Sequence, residues 1–220
     1  MMAKTLRLCL GILLIPVSVG YAMAFYEQLT SIQRLEGSEI IFLLGVTAYL
    51  AFHVLVKSPD RLYVFGHEMT HAAAAWVSGG QVKGFKVGKN KGSVATNKVT
   101  AFIALAPYLI PVYSILWAFL YGAASLFWSL RPWASWFFFG MGITLAFHLV
   151  FTINVLKQKQ SDLEVTGPVL ALALIFWTNL SLVVGVMSLM LPEVRFSGYL
   201  AGGFHHSRRL YQGIFTQLFS

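Results

Sequence analysis

Long apolar segments alternate with short polar breaks along most of this 220-residue chain. A helix needs roughly 20 apolar residues to cross a hydrocarbon core about 30 Å thick. The pattern therefore predicts an all-α membrane protein with about six transmembrane helices in a single domain, residues 1–220. The segments are Leu6–Tyr26, Ile40–Val56, Leu62–Val77, Val99–Tyr121, Trp133–Leu156 and Pro168–Leu191.

The two ends of the chain have patterns of their own. The first segment begins with Lys4 and Arg7 and ends on Ala22-Met23-Ala24, as a signal peptide does. Its apolar stretch is long for a signal peptide, so residues 1–26 are interpreted as an uncleaved signal anchor, with cleavage as the alternative. Residues 193–220 mix aromatic and aliphatic side chains with arginines, which predicts an amphipathic tail helix at the membrane interface.

Composition supports the membrane class and narrows the expected partners. Hydrophobic residues make up 57% of the chain and charged residues 11%, whereas a soluble domain has about 25% charged residues. The net charge is +8, but the basic residues lie in loops and tails between apolar segments. We therefore expect contact with anionic lipid headgroups of the bilayer and no nucleic-acid partner.

The third segment carries ionisable residues that an apolar helix rarely contains, in the motif Gly66-His67-Glu68-Met69-Thr70-His71. Residues four apart share one helix face, so His67 and His71 can bind one metal ion while Glu68 faces its water. Two imidazoles, a carboxylate and an open position suit zinc, with Glu68 as the catalytic general base. The alternative is that these side chains only form hydrogen bonds to neighbouring helices.

A hydrolytic zinc site needs a third protein ligand, and few residues qualify. Asp162 lies where the fifth segment passes into the sixth, and a carboxylate from a second helix end can complete the site. Asp60 is too close to His67 on the same helix to fold back easily. His148 is the rival third ligand and His53 a weaker one, and the sequence leaves these alternatives open.

The segments after the HExxH helix contain two further signals. Residues Gln81–Lys98 alternate apolar and polar positions around Lys89-Asn90-Lys91-Gly92, which predicts a short β-hairpin-like segment, with a solvated basic loop as the alternative. Pro107 and Pro111 each remove a backbone donor from the fourth segment and predict a kink there. Such a break suits a water path or lateral gate beside the zinc, and it also occurs in ordinary membrane helices.

These motifs resemble those of the site-2 protease family of intramembrane zinc metalloproteases. The resemblance extends from Tyr63 to about Leu191 and includes the HExxH helix, the Gly-rich segment after it and a later aspartate. In that family a motif of the type NxxPxxxLDG supplies the third ligand from its Asp. Asn154 and Asp162 keep that spacing, whereas Lys157, Ser161 and Leu163 stand at the Pro, Leu and Gly positions.

The resemblance implies a zinc-dependent endopeptidase that hydrolyses peptide bonds of membrane-anchored protein substrates. It implies that Asn154 assists the substrate by hydrogen bonding and that the home of such a compact protein is a bacterial inner membrane. The alternative function is a non-proteolytic membrane scaffold or regulatory relative with a structural or vestigial metal site. An ion transporter is disfavoured, because the other segments carry few ionisable residues.

Overall fold

The computed structural model describes residues 4–56, 59–88, 91–158 and 160–219. The described chain is mostly helical and contains one small antiparallel sheet of two strands. Its elements, apart from a 3-10 turn at Arg131–Trp133, are α1 (Lys4–Thr30), α2 (Ser38–Leu55), α3 (Asp60–Val77), β1 (Val82–Val87), β2 (Gly92–Thr96), α4 (Ala101–Leu109), α5 (Val112–Ser125), α6 (Ala134–Leu156), α7 (Ser161–Thr166), α8 (Pro168–Met190) and α9 (Phe196–Phe219).

Four of the described helices, α1, α2, α6 and α8, are long and apolar enough to cross a membrane. A bent pair, α4 and α5, makes a fifth if the two helices form one span. Helix α3 has 18 residues, but Asp60, Arg61 and Glu68 make it more polar than these four candidate spans. The structure thus supports a helical membrane protein with four to five candidate spans, and the count of six stays a prediction.

The predicted kink in the fourth segment is confirmed. Helices α4 and α5 meet at an angle of 67°. Ile110 has extended backbone angles, φ −109° and ψ 111°, and Pro111 directly precedes the first residue of α5. A proline disfavours helical geometry in the residue before it and donates no hydrogen bond, so the chain turns at this point.

Contacts between residues divide the chain into two compact units, and the first consists of Met1–Leu35 and Thr166–Ser220. Helix α9 runs antiparallel along α1, with Gly20 against Ser207 and Gly203 against the ring of Tyr21. Small residues at such contacts let helix backbones approach closely. The predicted C-terminal helix is therefore present, whereas its location at the membrane interface and the single-domain count remain predictions.

The second unit, Glu36–Val165, contains the motif residues. Helices α2 and α6 approach so closely that a Cβ atom on Gly45 or Gly142 would overlap the backbone of the partner helix. A buried apolar cluster lies beside this contact and includes Tyr49, Phe147 and Phe151. Helix α3 packs against α4 through alanines and one isoleucine: Ala74, Ala75, Ile103 and Ala106.

Strands β1 and β2 form an antiparallel ladder in which Phe85 pairs with Val94 and Val87 with Gly92. The ring of Phe85 contacts the ring of Phe65 on α3 edge-on, with centroids 6.2 Å apart, so the sheet packs against the HExxH helix. The predicted turn falls partly on residues 89 and 90, which lie outside the described residues.

Candidate metal centre

Helix α3 brings the two histidines of the motif together. It ends at Val77, and Gly79 follows with φ 73°, a left-handed conformation that favours glycine and stops a helix. His67 and His71 lie one turn apart within this helix, and their Nε2 atoms are 3.2 Å apart. The predicted shared face is confirmed.

Asp162 on the short helix α7 completes the group. Its Oδ2 atom lies 3.6 Å from Nε2 of His67 and 3.4 Å from Nε2 of His71. Within the described part of the chain, these three residues are the one group of three or more His, Cys, Asp or Glu side chains that can share a metal ion. Of the three candidates for a third ligand, Asp162 is the one that this group contains, whereas His148 and His53 lie outside it.

The spacing of the three donor atoms suits a four-coordinate metal. With metal–ligand distances of about 2.0–2.2 Å, the edges of a regular tetrahedron are about 3.3–3.6 Å long. The three observed edges are 3.2, 3.4 and 3.6 Å. A tetrahedral metal ion bound by these three protein donors would have one position open.

Further contacts orient each of the three donors. Nδ1 of His71 lies 2.8 Å from the carbonyl oxygen of Ile103, which only accepts hydrogen bonds, so Nδ1 carries a proton and Nε2 faces the other two donors. Nδ1 of His67 lies 2.9 Å from the hydroxyl of Tyr63, and the hydroxyl of Tyr108 donates to Oδ2 of Asp162 at 3.0 Å. Outer partners of this kind fix ligand orientation and tune metal affinity.

Asp162 is held in its charged form. Burial alone would raise the pKa of this carboxyl, but hydrogen bonding and attraction from His67 and His71 outweigh burial and hold the pKa well below its usual range. The carboxylate is therefore ionised at neutral pH, which is the form that binds a metal ion.

Glu68 follows His67 in the sequence and is 7% exposed. Its side chain lies against the backbone of Gly92, the first residue of β2. The sheet thus covers the carboxylate that the motif predicts as the general base, and Glu68 does not belong to the three-donor group.

The other predicted polar residues lie outside that group. His148 is buried in α6 and, with His67 and Tyr63, lines a cavity of about 20 Å³, which has room for about one water molecule. The side-chain nitrogen of Asn154 lies 3.3 Å from Nε2 of His53. This contact joins α6 to α2, and the substrate role of Asn154 stays a prediction.

Sequence reasoning missed the two tyrosines. Tyr63 lies four residues before His67 on the same helix face, a spacing that can be read from the sequence. Tyr108 is fully buried and belongs to α4, and nothing in its local sequence indicates that its hydroxyl contacts Asp162.

The fold and the site together define a class: a helical protein with four to five helices suited to a bilayer and a His-His-Asp group able to hold a metal ion. Comparison with known proteins found no matching family model, no matching curated protein and no matching solved structure.

Proposed function

We propose that this protein is a zinc-dependent intramembrane endopeptidase of the site-2 protease type, which hydrolyses peptide bonds of membrane-anchored protein substrates. One observation carries the proposal: a carboxylate from a separate helix converges on the two HExxH histidines at tetrahedral spacing. Histidines that only formed hydrogen bonds to neighbouring helices would not require an acidic side chain at that point.

Zinc is the proposed ion because two imidazoles and one carboxylate are ligands that zinc accepts readily. Calcium and magnesium prefer sites built from oxygen atoms, which this group does not provide. When bound, a zinc ion would polarise a water molecule and lower its pKa toward neutrality.

The chain's own residues then have distinct roles. His67, His71 and Asp162 hold the ion, and Tyr63, Tyr108 and the carbonyl of Ile103 orient them. Glu68 accepts the proton of the attacking water and passes it to the nitrogen of the leaving amine. Since its carboxylate is mostly shielded from solvent, the proton is not readily lost to bulk water.

Substrate binding is proposed on two elements. Each strand of the two-stranded sheet pairs on one side only. A free strand edge can pair with an extended peptide, which is a known mode of recognition. Asn154 would donate a hydrogen bond to the substrate, for which its side chain must leave its contact with His53. We further propose a six-span topology with α3 at membrane depth and a bacterial inner-membrane location.

The test is proteolysis of a membrane-anchored reporter by the purified protein and by its Glu68→Gln variant, with bound zinc measured in both. Loss of the general base should slow cleavage about 10²–10⁴-fold, while zinc content stays equal because Glu68 is not a ligand. Full activity of the variant would end the catalytic claim for Glu68.

A second candidate is a non-proteolytic membrane scaffold with a structural metal site. Lys157, Ser161 and Leu163 favour it, since they replace the Pro, Leu and Gly of the site-2 protease motif around Asp162. This alternative gains if Asp162→Ala changes neither bound zinc nor the phenotype of cells that carry it.

A further inference from the structure

The side chain of Glu68 packs against Gly92, where a Cβ atom has room only if Glu68 moves. A Cβ atom added at Gly92 would lie 2.5 Å from Cγ, 2.7 Å from Oε1 and 2.9 Å from Cδ of Glu68. Carbon atoms in favourable contact are about 3.5–4.0 Å apart, so a larger residue must displace Glu68 or the strand. Gly92 does not have a positive φ angle, so close approach, not backbone conformation, requires glycine here.

The sheet that carries Gly92 is tied to α3 at two further points. Gly92 pairs with Val87 in the ladder, and Phe85 of the same sheet packs on Phe65 of α3. At the other end of the sheet, the side-chain nitrogen of Lys98 donates to the carbonyl of Ser78, just after α3. Any added bulk at Gly92 therefore presses mainly on the carboxylate of Glu68.

We propose that Gly92 is a positioning residue: its lack of a side chain lets β2 close over Glu68 and fix the carboxylate beside the metal centre. A general base must lie about 2.6–3.2 Å from the proton that it abstracts, so a small displacement of Glu68 suffices to impair it. This inference rests on the proposed role of Glu68, but the contact itself is testable without any activity.

The first experiment measures thermal unfolding of the purified full chain with Gly92→Ala, Glu68→Ala and both changes. Overpacking should lower the midpoint for Gly92→Ala by about 2–10 °C, and the loss should largely vanish when Glu68 is already alanine. Equal losses in both backgrounds, or no loss, would overturn the proposal. If Gly92→Ala yields no folded protein, recovery in the double variant supports the contact and continued failure refutes it.

Gly84 provides a matched control in the partner strand. A Cβ atom there would meet only Cβ of Ala95, at an ordinary 3.6 Å. Gly84→Ala should therefore leave the unfolding midpoint unchanged in both backgrounds. A loss as large as that of Gly92→Ala would mean that the sheet tolerates no alanine at all, and the proposal would fall.

The second experiment measures zinc content and kinetics. Gly92→Ala should keep its zinc while kcat falls about tenfold to a hundredfold, a larger change than any in KM, because Glu68 is displaced and the metal ligands are not. Unchanged kcat would refute the positioning role. If the wild type cleaves nothing while the stability coupling holds, the endopeptidase proposal fails and the packing of Gly92 on Glu68 stands.

Discussion

Two tyrosine–histidine pairs in this protein share a local design and differ in what lies beyond it. In α3, the hydroxyl of Tyr63 lies 2.9 Å from Nδ1 of His67, and in α2 the hydroxyl of Tyr49 lies 3.3 Å from Nδ1 of His53. The two pairs differ in what contacts the other ring nitrogen, Nε2, of each histidine. Nε2 of His67 faces a second imidazole and a carboxylate, whereas Nε2 of His53 faces the amide of Asn154.

The difference shows when a histidine in an apolar helix is a metal ligand. An amide N–H can donate to Nε2 of His53, so that pair is satisfied by hydrogen bonds alone and joins two helices. Around His67, two imidazole nitrogens and a carboxylate oxygen converge on one point, where they can bind a cation or share protons. The convergence of three such donors makes His67, and not His53, a candidate metal ligand.

The largest effect is expected when the carboxylate is removed from this centre. Asp162→Ala should lower zinc affinity by more than the roughly 10–100-fold cost of losing an outer partner, and proteolysis should be lost with the metal. Zinc retained against a competing chelator is the measurement. His148→Ala and His53→Ala are the controls, and both should bind zinc as the wild type does.

The opposite pattern of zinc binding among these variants would contradict the comparison between the two pairs. Zinc retained by Asp162→Ala but lost by His148→Ala would make His148 the third ligand and would leave Asp162 as a partner of the histidines only. Zinc lost by His53→Ala would mean that the α2 pair is no mere helix contact.

The sequence predicted the grouping of His67, His71 and Asp162 better than the contacts that surround it. The HExxH spacing is a property of one helix, so His67 and His71 follow from helix geometry alone. Asp162 was predicted as the third ligand because a hydrolytic zinc site needs one and the chain contains few other suitable carboxylates. Tyr108 could not be predicted, because its contact with Asp162 depends on how α4 and α7 pack.

The structure supports four to five candidate spans, and the six spans that the sequence predicts stay a prediction. Apolar length alone counts the segments at α3 and at α4–α5 as ordinary spans, but α3 carries charged residues and the α4–α5 pair bends by 67°. The antiparallel pairing of α9 with α1 was missed for a different reason. It depends on glycines in two distant segments that hydropathy does not connect.

A smaller effect is expected when the hydroxyl that holds the carboxylate is removed. Tyr108→Phe keeps the ring but deletes the donor to Oδ2 of Asp162, so zinc affinity should fall about 10–100-fold. Tyr199→Phe is the matched control, since Tyr199 is also fully buried and its hydroxyl contacts Ser181 instead. Equal zinc affinity in both variants would show that Tyr108 only fills space.

The tyrosines of the two pairs, Tyr63 and Tyr49, test the comparison more directly, with a smaller expected effect on zinc affinity. Tyr63→Phe removes the partner of His67 Nδ1 and should weaken zinc binding toward the lower end of that range, about tenfold. Tyr49→Phe removes the equivalent partner of His53 and should leave zinc binding unchanged. If both variants bind zinc equally well, the hydroxyl of Tyr63 does not orient a ligand.

The smallest effect is expected on the free energy of unfolding, when the contact between His53 and Asn154 is removed. A double-mutant cycle with His53→Ala and Asn154→Ala should give a coupling free energy of unfolding of about 0.6 kcal/mol, the average for hydrogen bonds between membrane helices. Zinc content should not change in either single variant. The substrate role proposed for Asn154 predicts that KM rises for Asn154→Ala and not for His53→Ala. A coupling free energy of zero would show that the α2–α6 contact does not contribute to packing.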